Sequence, residues 1–180
     1  MSSIYPPILV KKVSHEAKLP ERATPTESGL DVFAYSITKH YTIDGFELMP
    51  FYTESEYHKW KVGDLTFTLK NGERILISTG LMATVGPGYE IQVRPRSGLA
   101  LKKGLTVLNS PGTIDEGYRN IIGVILINHS GVDQVIKYNE KIAQLVVSSV
   151  ILSDVKEVTD LSETKRGLGG FGSTDVKQST

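Results

Sequence analysis

The sequence holds no cysteine. That absence excludes a disulfide framework, a thiolate zinc site and thiol-based nucleophilic catalysis. Histidine is sparse as well: His15, His40, His58 and His129 stand singly, without HxH or HExxH spacing, so a histidine-built metal centre has no basis in the sequence. Neither sign of charge is in excess. Lys plus Arg and Asp plus Glu both count 20, for a formal net charge of zero. A protein that grips polymeric nucleic acid usually carries a basic surplus, so DNA and RNA are not expected partners. Long apolar runs are missing too. The most apolar stretch, around Ile121 to Ile127, is far short of the roughly 20 residues a membrane span needs. The opening MSSIYPPILVKK lacks a signal peptide's order of basic segment, long apolar core and small-residue cleavage site. Together these absences predict a soluble, cytoplasmic protein with no membrane partner (in the host-cell cytoplasm, were the source viral).

What is present is β-type texture. The 180 residues suit one domain with an embellishment and suffice to bury a core. Short runs rich in Val, Ile and Leu read as strands at Ile8–Val10, Asp64–Leu69, Arg74–Ser78, Tyr89–Val93, Ile121–Asn128, Gln134–Lys137 and Ile142–Ile151. Turn signals separate them: Asn71-Gly72, Gly86-Pro87-Gly88, Ser130-Gly131 and Tyr138-Asn139. Asn71-Gly72, between two strand-like runs, predicts a hairpin. Helical patterning is confined to SGLALKK at 97–103, about two turns with Ser97 as the expected N-cap. Many strands and one short helix predict an all-β antiparallel barrel or sandwich.

Two regions break this texture. Residues 38–62 concentrate Tyr41, Phe46, Phe51, Tyr52, Tyr57 and Trp60 among charges, as an inserted hairpin or excursion would. Those aromatics either pack the insert onto the body or present a protein-binding surface. The region from residue 165 onward is polar and glycine-rich, the composition of an arm that a ligand orders.

Three stretches carry candidate chemistry. In Arg94–Leu105, Arg94, Arg96, Lys102 and Lys103 surround the Ser97-Gly98 pair. A helix start, a hydroxyl and an arginine fork together suit a phosphate, although a capped helix on a solvated basic surface would read alike. In NSPGTIDEGYRN at 109–120, Asp115 and Tyr118 lie three residues apart and could position a water and a sugar ring; a plain hairpin tip is the alternative. In RGLGGFGSTD at 166–175, glycines surround Phe171 beside Arg166, Ser173 and Thr174. It is not a Walker A loop, since no Gly-Lys-Ser/Thr ending follows. Close backbone approach, a cation, hydroxyls and a base-stacking ring are available there; a floppy spacer is the alternative.

Taken in order, these stretches resemble the trimeric dUTPase family. SGLDVFAYS at 28–36 is similar to its first motif, PRSGLALKKGL at 95–105 to its second and GTIDEGYR at 112–119 to its third. NEKIAQLVV at 139–147 is similar to the fourth, and RGLGGFGSTD to the fifth. The resemblance implies a distorted jelly-roll β-barrel over residues 1–164, with 38–62 inserted and 165–180 as a flexible arm. It implies a homotrimer whose active sites draw on all three subunits. The implied reaction is Mg²⁺-assisted hydrolysis of dUTP to dUMP and pyrophosphate, by water attack on the α-phosphorus. Such an activity limits uracil in DNA and supplies dUMP for thymidylate synthesis.

Residue by residue, the resemblance makes Asp115 the carboxylate that orients and deprotonates water. It places Tyr118 under the deoxyribose, and Asn109 with the backbone around Gly112 against uracil. Arg96, Ser97, Gly98 and Gln144 would contact phosphates. Arg166, Gly172, Ser173 and Thr174 would close on the γ-phosphate end while Phe171 stacks on the base. Asp31 would lie near the water shell of the metal, not bind it directly.

The chain departs from the family pattern in places. Positions 117 and 120 are Gly and Asn where the third motif commonly has Asp and Gly, and Lys141 stands where the fourth usually has Arg. Lysine keeps the charge and loses the bidentate fork. Two rivals follow. A dCTP deaminase shares the fold but needs a glutamate in the strand after the third motif, where this chain reads GVILIN. A regulatory protein on the same fold would bind a partner through 38–62.

Overall fold

The computed structural model describes residues 6–41, 46–47 and 66–170, with residues 38–41 and 46–47 described by backbone pairing. In chain order the strands are β1 Leu9–Lys12, β2 Leu30–Phe33, β3 Ser36–Tyr41, β4 Phe46–Glu47, β5 Thr66–Leu69, β6 Arg74–Thr84 and β7 Tyr89–Arg94. Then follow α1 Ser97–Lys103, β8 Leu105–Val107, β9 Gly112–Ile114, β10 Ile121–Asn128, β11 Gln134–Lys137 and β12 Lys141–Ser149. Among the described residues the protein is all-β with one short helix, as expected. Six strands form one sheet, in the order β4-β3-β6-β10-β8 with β1 also paired to β6; β11-β5 forms a second and β2-β12-β7-β9 a third. Every pairing is antiparallel. Hydrogen bonding among the described residues closes no ring, so the jelly-roll-like arrangement is built of separate antiparallel sheets. The sheets are joined through side chains instead. Ile75, Ile77, Val124 and Leu126 from the first, Leu69 and Ile136 from the second, and Val32, Ile91, Val93 and Leu145 from the third share one buried cluster. Burying each such side chain contributes roughly 1.5–3 kcal/mol.

The long strand β6 explains why the large sheet does not run straight. It pairs with β3 through Ser78 and with β1 from Leu81 onward. Between Ser78 and Met82 it uses more residues than the facing step from Gly123 to Ile121, which is a bulge. Gly80 sits there with φ +69°, and a Cβ on it would lie 2.8 Å from the Tyr35 ring and 2.9 Å from Ala17 Cβ. Both the backbone and the packing demand glycine. Gly80→Ala is therefore expected to cost about 2–4 kcal/mol. Urea unfolding should show a lower midpoint with an unchanged slope, and a midpoint equal to the parent's would refute the account.

Two local expectations are corrected. The Asn71-Gly72 turn exists, with Gly72 at φ +81°, but it does not close a hairpin, because β5 pairs with β11 and not with β6. The buried Asn128 explains this choice. Its Nδ2 donates to Leu69 O and Val132 O at 2.8 Å each, fastening the end of β5 to the turn that leads into β11. The helix cap also differs. The N-cap is Arg96, extended at φ −96° and ψ 128°, with no side-chain cap bond; the first helical bond runs from Ala100 N to Arg96 O. Ser97 is thus the first helical residue, while the Arg96 side chain is held elsewhere, as described below.

The segment 38–62 lies mostly outside the described residues. Its beginning is part of the body: β3 continues to Tyr41 against Arg74 of β6 and turns back as β4. Among the described residues, no helix is long and apolar enough to cross a membrane.

Candidate active site

The third sheet gathers most of the candidate residues. Its register puts Asp31 of β2 opposite Gln144 of β12, and Gln144 opposite Arg94 of β7. Two residues beyond Arg94, the extended backbone of Arg96 lets its guanidinium reach back across the sheet. Arg96 Nε lies 2.8 Å from Asp31 Oδ1, and Nη1 donates to Lys141 O at 3.2 Å. Lys141 Nζ lies 3.1 Å from Asp31 Oδ2 and 2.9 Å from Glu21 Oε1. Hydrogen bonding first to Glu21 and then to Asp31 holds the Lys141 ammonium above its ordinary pKa. These side chains are partly exposed, so solvent screening leaves the pairs little weight in stability. Their consequence is geometric: the arginine fork is fixed from two sides beside the start of α1.

Gln144 Nε2 donates to Pro95 O at 2.9 Å, which ties β12 to the same corner. Gly29 makes room for it, since a Cβ there would collide with the Gln144 amide. Ser97 and Gly98 are exposed at the helix start, and no acidic residue lies in its first turn. An uncapped helix start beside a fixed guanidinium suits an anion.

The second group stands on the other edge of this sheet. β9 pairs with β7 as Gly112 with Val93, Thr113 with Gln92 and Ile114 with Ile91. Gly112 is buried, and the Asn109 amide nitrogen comes within 3.2 Å of where its Cβ would be. Asp115 is exposed beyond the strand, in a turn closed by Tyr118 N donating to Asp115 O at 3.0 Å. The half-buried Tyr118 donates its hydroxyl to Ile121 O at 2.8 Å, and burial pushes its phenol pKa up. The departures at 117 and 120 fit this turn. A Cβ on Gly117 would meet nothing within 4 Å, and Asn120 Oδ1 accepts the Ile121 N–H at 2.7 Å.

Asp115 itself stands apart from the first group, although Gly112 faces Val93 beside Arg94. Asp115 follows the residue opposite Ile91, whereas the Asp31–Gln144 row meets β7 at Arg94, some 10 Å further along the strand at about 3.3 Å per residue. A groove of about 1120 Å³ lies among Pro7, Leu19, Leu30, Tyr89 and Val147 and includes none of the candidate residues. Among the described residues after Ser149 there is no further strand, and Ile151, Leu152, Val155 and Leu161 are all at least 86% exposed. Arg166 donates to Gly169 O at 2.9 Å within a turn of its own segment. Phe171, Gly172, Ser173 and Thr174 lie outside the described residues. Among the described residues no cluster of three or more His, Cys, Asp or Glu could hold a metal, and both Asp31 oxygens face cations. That donor set fits a metal held by ligand oxygens and water, with Asp31 at most outside its first shell of ligands.

Sequence reasoning missed three residues around these groups. Glu21 had no signal, since it meets Asp31 only through an isolated backbone pairing. Thr84 and Arg119, which hold the Asp115 turn, are brought together by the meeting of two sheets, which no local pattern announces.

The comparisons with known proteins agree with this arrangement. The dUTPase family model matches residues 63–175. The chain is 45% identical over 170 residues to the deoxyuridine 5'-triphosphate nucleotidohydrolase of Hydrogenobaculum sp., covering 94% of this chain and 99% of that protein. It is 43% identical over 169 residues to the enzyme of the same name from Clostridium acetobutylicum, covering 94% and 97%. Among solved structures, the Staphylococcus bacteriophage 80alpha dUTPase with dUPNHPP superposes with a TM-score of 0.68 at 24% identity, covering 94% of this chain and 99% of that one. The dUTPase of phage phi11 of S. aureus, described with a species-specific insert, gives 0.64 at 21%, covering 88% and 99%. At those identities the structures speak for the fold.

Proposed function

This chain belongs to the dUTPase family, and on that footing we propose how its residues hydrolyse dUTP to dUMP and pyrophosphate. Asp115 orients a water and takes its proton as the water attacks the α-phosphorus. Tyr118 packs under the deoxyribose, where a ribose 2'-hydroxyl would collide with its ring. Asn109 and the backbone at Gly112 read the uracil edge. Arg96, with Ser97 and Gly98 at the helix start and Gln144 beside them, holds the phosphate oxygens. The observation that carries this reading is the fixed Arg96 fork, braced by Asp31 and by Lys141 O in front of an uncapped helix start. Phosphoryl chemistry asks for such positioning and charge neutralisation more than for covalent steps.

The remaining parts follow from what one chain lacks. Asp115 and Arg96 stand at opposite ends of β7, and Ile151, Leu152, Val155 and Leu161 after Ser149 find no cover among the described residues. With the family membership, both facts are in keeping with a homotrimer whose sites are shared between copies, with 165–180 as an arm that serves a neighbour. In that arm Arg166, Gly172, Ser173 and Thr174 close on the γ-phosphate, and Phe171 stacks on the base. A Mg²⁺ ion bound to the triphosphate would supply charge neutralisation there, with Asp31 near its water shell.

Pyrophosphate release with Mg²⁺ across dUTP, UTP, dCTP and dTTP tests the reading. We expect dUTP to be preferred in kcat/KM by on the order of 10³ or more, because unpaired buried polar groups reject the wrong base. Ammonia released from dCTP would overturn it in favour of deamination.

A further inference from the structure

The turn that carries Asp115 and Tyr118 is anchored at its far end by the Tyr118 hydroxyl on Ile121 O, but its tip is open. Gly117 lies in open space, and one backbone bond, Tyr118 N to Asp115 O, closes it. It is held instead from a different sheet. At the end of β6, in register with Leu9 of β1, the Thr84 hydroxyl donates to Glu116 O at 3.1 Å. Arg119 Nη1 donates to the same Glu116 carbonyl at 2.5 Å, to Tyr118 O at 2.8 Å and to Thr84 Oγ1 at 3.2 Å. The hydroxyl and the guanidinium thus bond to each other and grip the carbonyls of Glu116 and Tyr118, the residues on either side of Gly117.

We propose that Thr84 and Arg119 are positioning residues that hold the Asp115–Tyr118 turn rigid and thereby set the preference of the site for deoxyribose over ribose. The inference rests on the roles of Asp115 and Tyr118 given above. Exclusion of a 2'-hydroxyl is a steric test, and it works only if the Tyr118 ring cannot retreat. Gly117 leaves the turn free to flex, and the grip from β6 removes that freedom without touching the nucleotide. Thr84 lies on a strand of the six-stranded sheet, so the core packing of that sheet becomes the reference against which the ring is placed.

The test compares Thr84→Val, which keeps the shape and removes the hydroxyl, with Thr84→Ser, which keeps the hydroxyl. Steady-state pyrophosphate release is measured for dUTP and UTP, together with the melting temperature. Thr84→Val should lower kcat for dUTP about tenfold, since small misplacements of a reacting group are costly. It should also raise the UTP to dUTP ratio of kcat/KM by about 3–10-fold. Thr84→Ser should stay within about twofold of the parent on both measures. Arg119→Met should mimic Thr84→Val, and the double variant should be no worse than either single one, as expected of residues acting through one network. A loss of melting temperature with an unchanged UTP to dUTP ratio would mark the grip as merely structural and overturn the inference. An active parent and an unaltered Thr84→Val would do the same. A parent inert on dUTP would fail the functional reading itself, and this inference with it.

Discussion

Asp115→Asn is expected to slow dUTP hydrolysis by about 10²–10⁴-fold, the span of a lost general base, while leaving dUTP affinity within a few-fold. The expectation follows from where Asp115 lies. It is exposed beyond the end of β9, and the turn around it is closed by a backbone bond through its carbonyl, which the amide side chain leaves intact. The substitution is isosteric and exposed, so the stability should move by no more than about 0.5 kcal/mol. What it removes is an acceptor for the water proton. Single-turnover pyrophosphate release measures the chemical step, and titration calorimetry with a non-hydrolysable dUTP analogue measures binding. Turnover within tenfold of the parent would show that Asp115 is not the base.

The second large effect concerns the end of the chain. Ending the protein after Thr164 should lower kcat/KM by about 10²–10³, the usual consequence of removing preorganised donors from developing charge. The circular dichroism spectrum and the melting temperature should remain those of the full chain. The structure separates the two outcomes. Among the described residues no strand follows Ser149 and residues 165–168 are exposed, so the described part of the removed segment contributes nothing to the core. It does take the Arg166 guanidinium, which among the described residues bonds to Gly169 O within its own turn. A truncated chain of full activity would sink the closing-arm role, and a truncated chain that fails to fold would show that the arm is part of the body.

Much of the fold was legible because apolar alternation is a local signal. Ile121–Asn128 and Gln134–Lys137 appear as strands at the expected bounds, and SGLALKK is the helix. What failed did so for physical reasons. β2, β8 and β9 are three or four residues long and include Asp31, Thr106 and Gly112, so they carry too few periods to stand out. The Asn71-Gly72 turn was legible but its topology was not, since the partner of β5 is chosen by Asn128, 59 residues from Leu69. At the site, the residue types were readable from the motifs, whereas their company was not. Arg96 was legible as a phosphate-type arginine, but its bracing by Asp31 and by the Lys141 carbonyl depends on the register of β2 and β12. Glu21, at the outer end of that set of charges, belongs to a loop without any pattern.

The distance along β7 between Arg94 and the residue facing Ile114 has a consequence for how the protein fails. Under the shared-site reading, no copy owns a complete catalytic centre, so competence is a property of the assembly and not of the chain. A newly made chain would be inert until it met its fellows, and dilution below the dissociation constant of the assembly would switch activity off without unfolding anything. One damaged copy would spoil sites whose other components are sound, so selection would act on the oligomer as the smallest working unit.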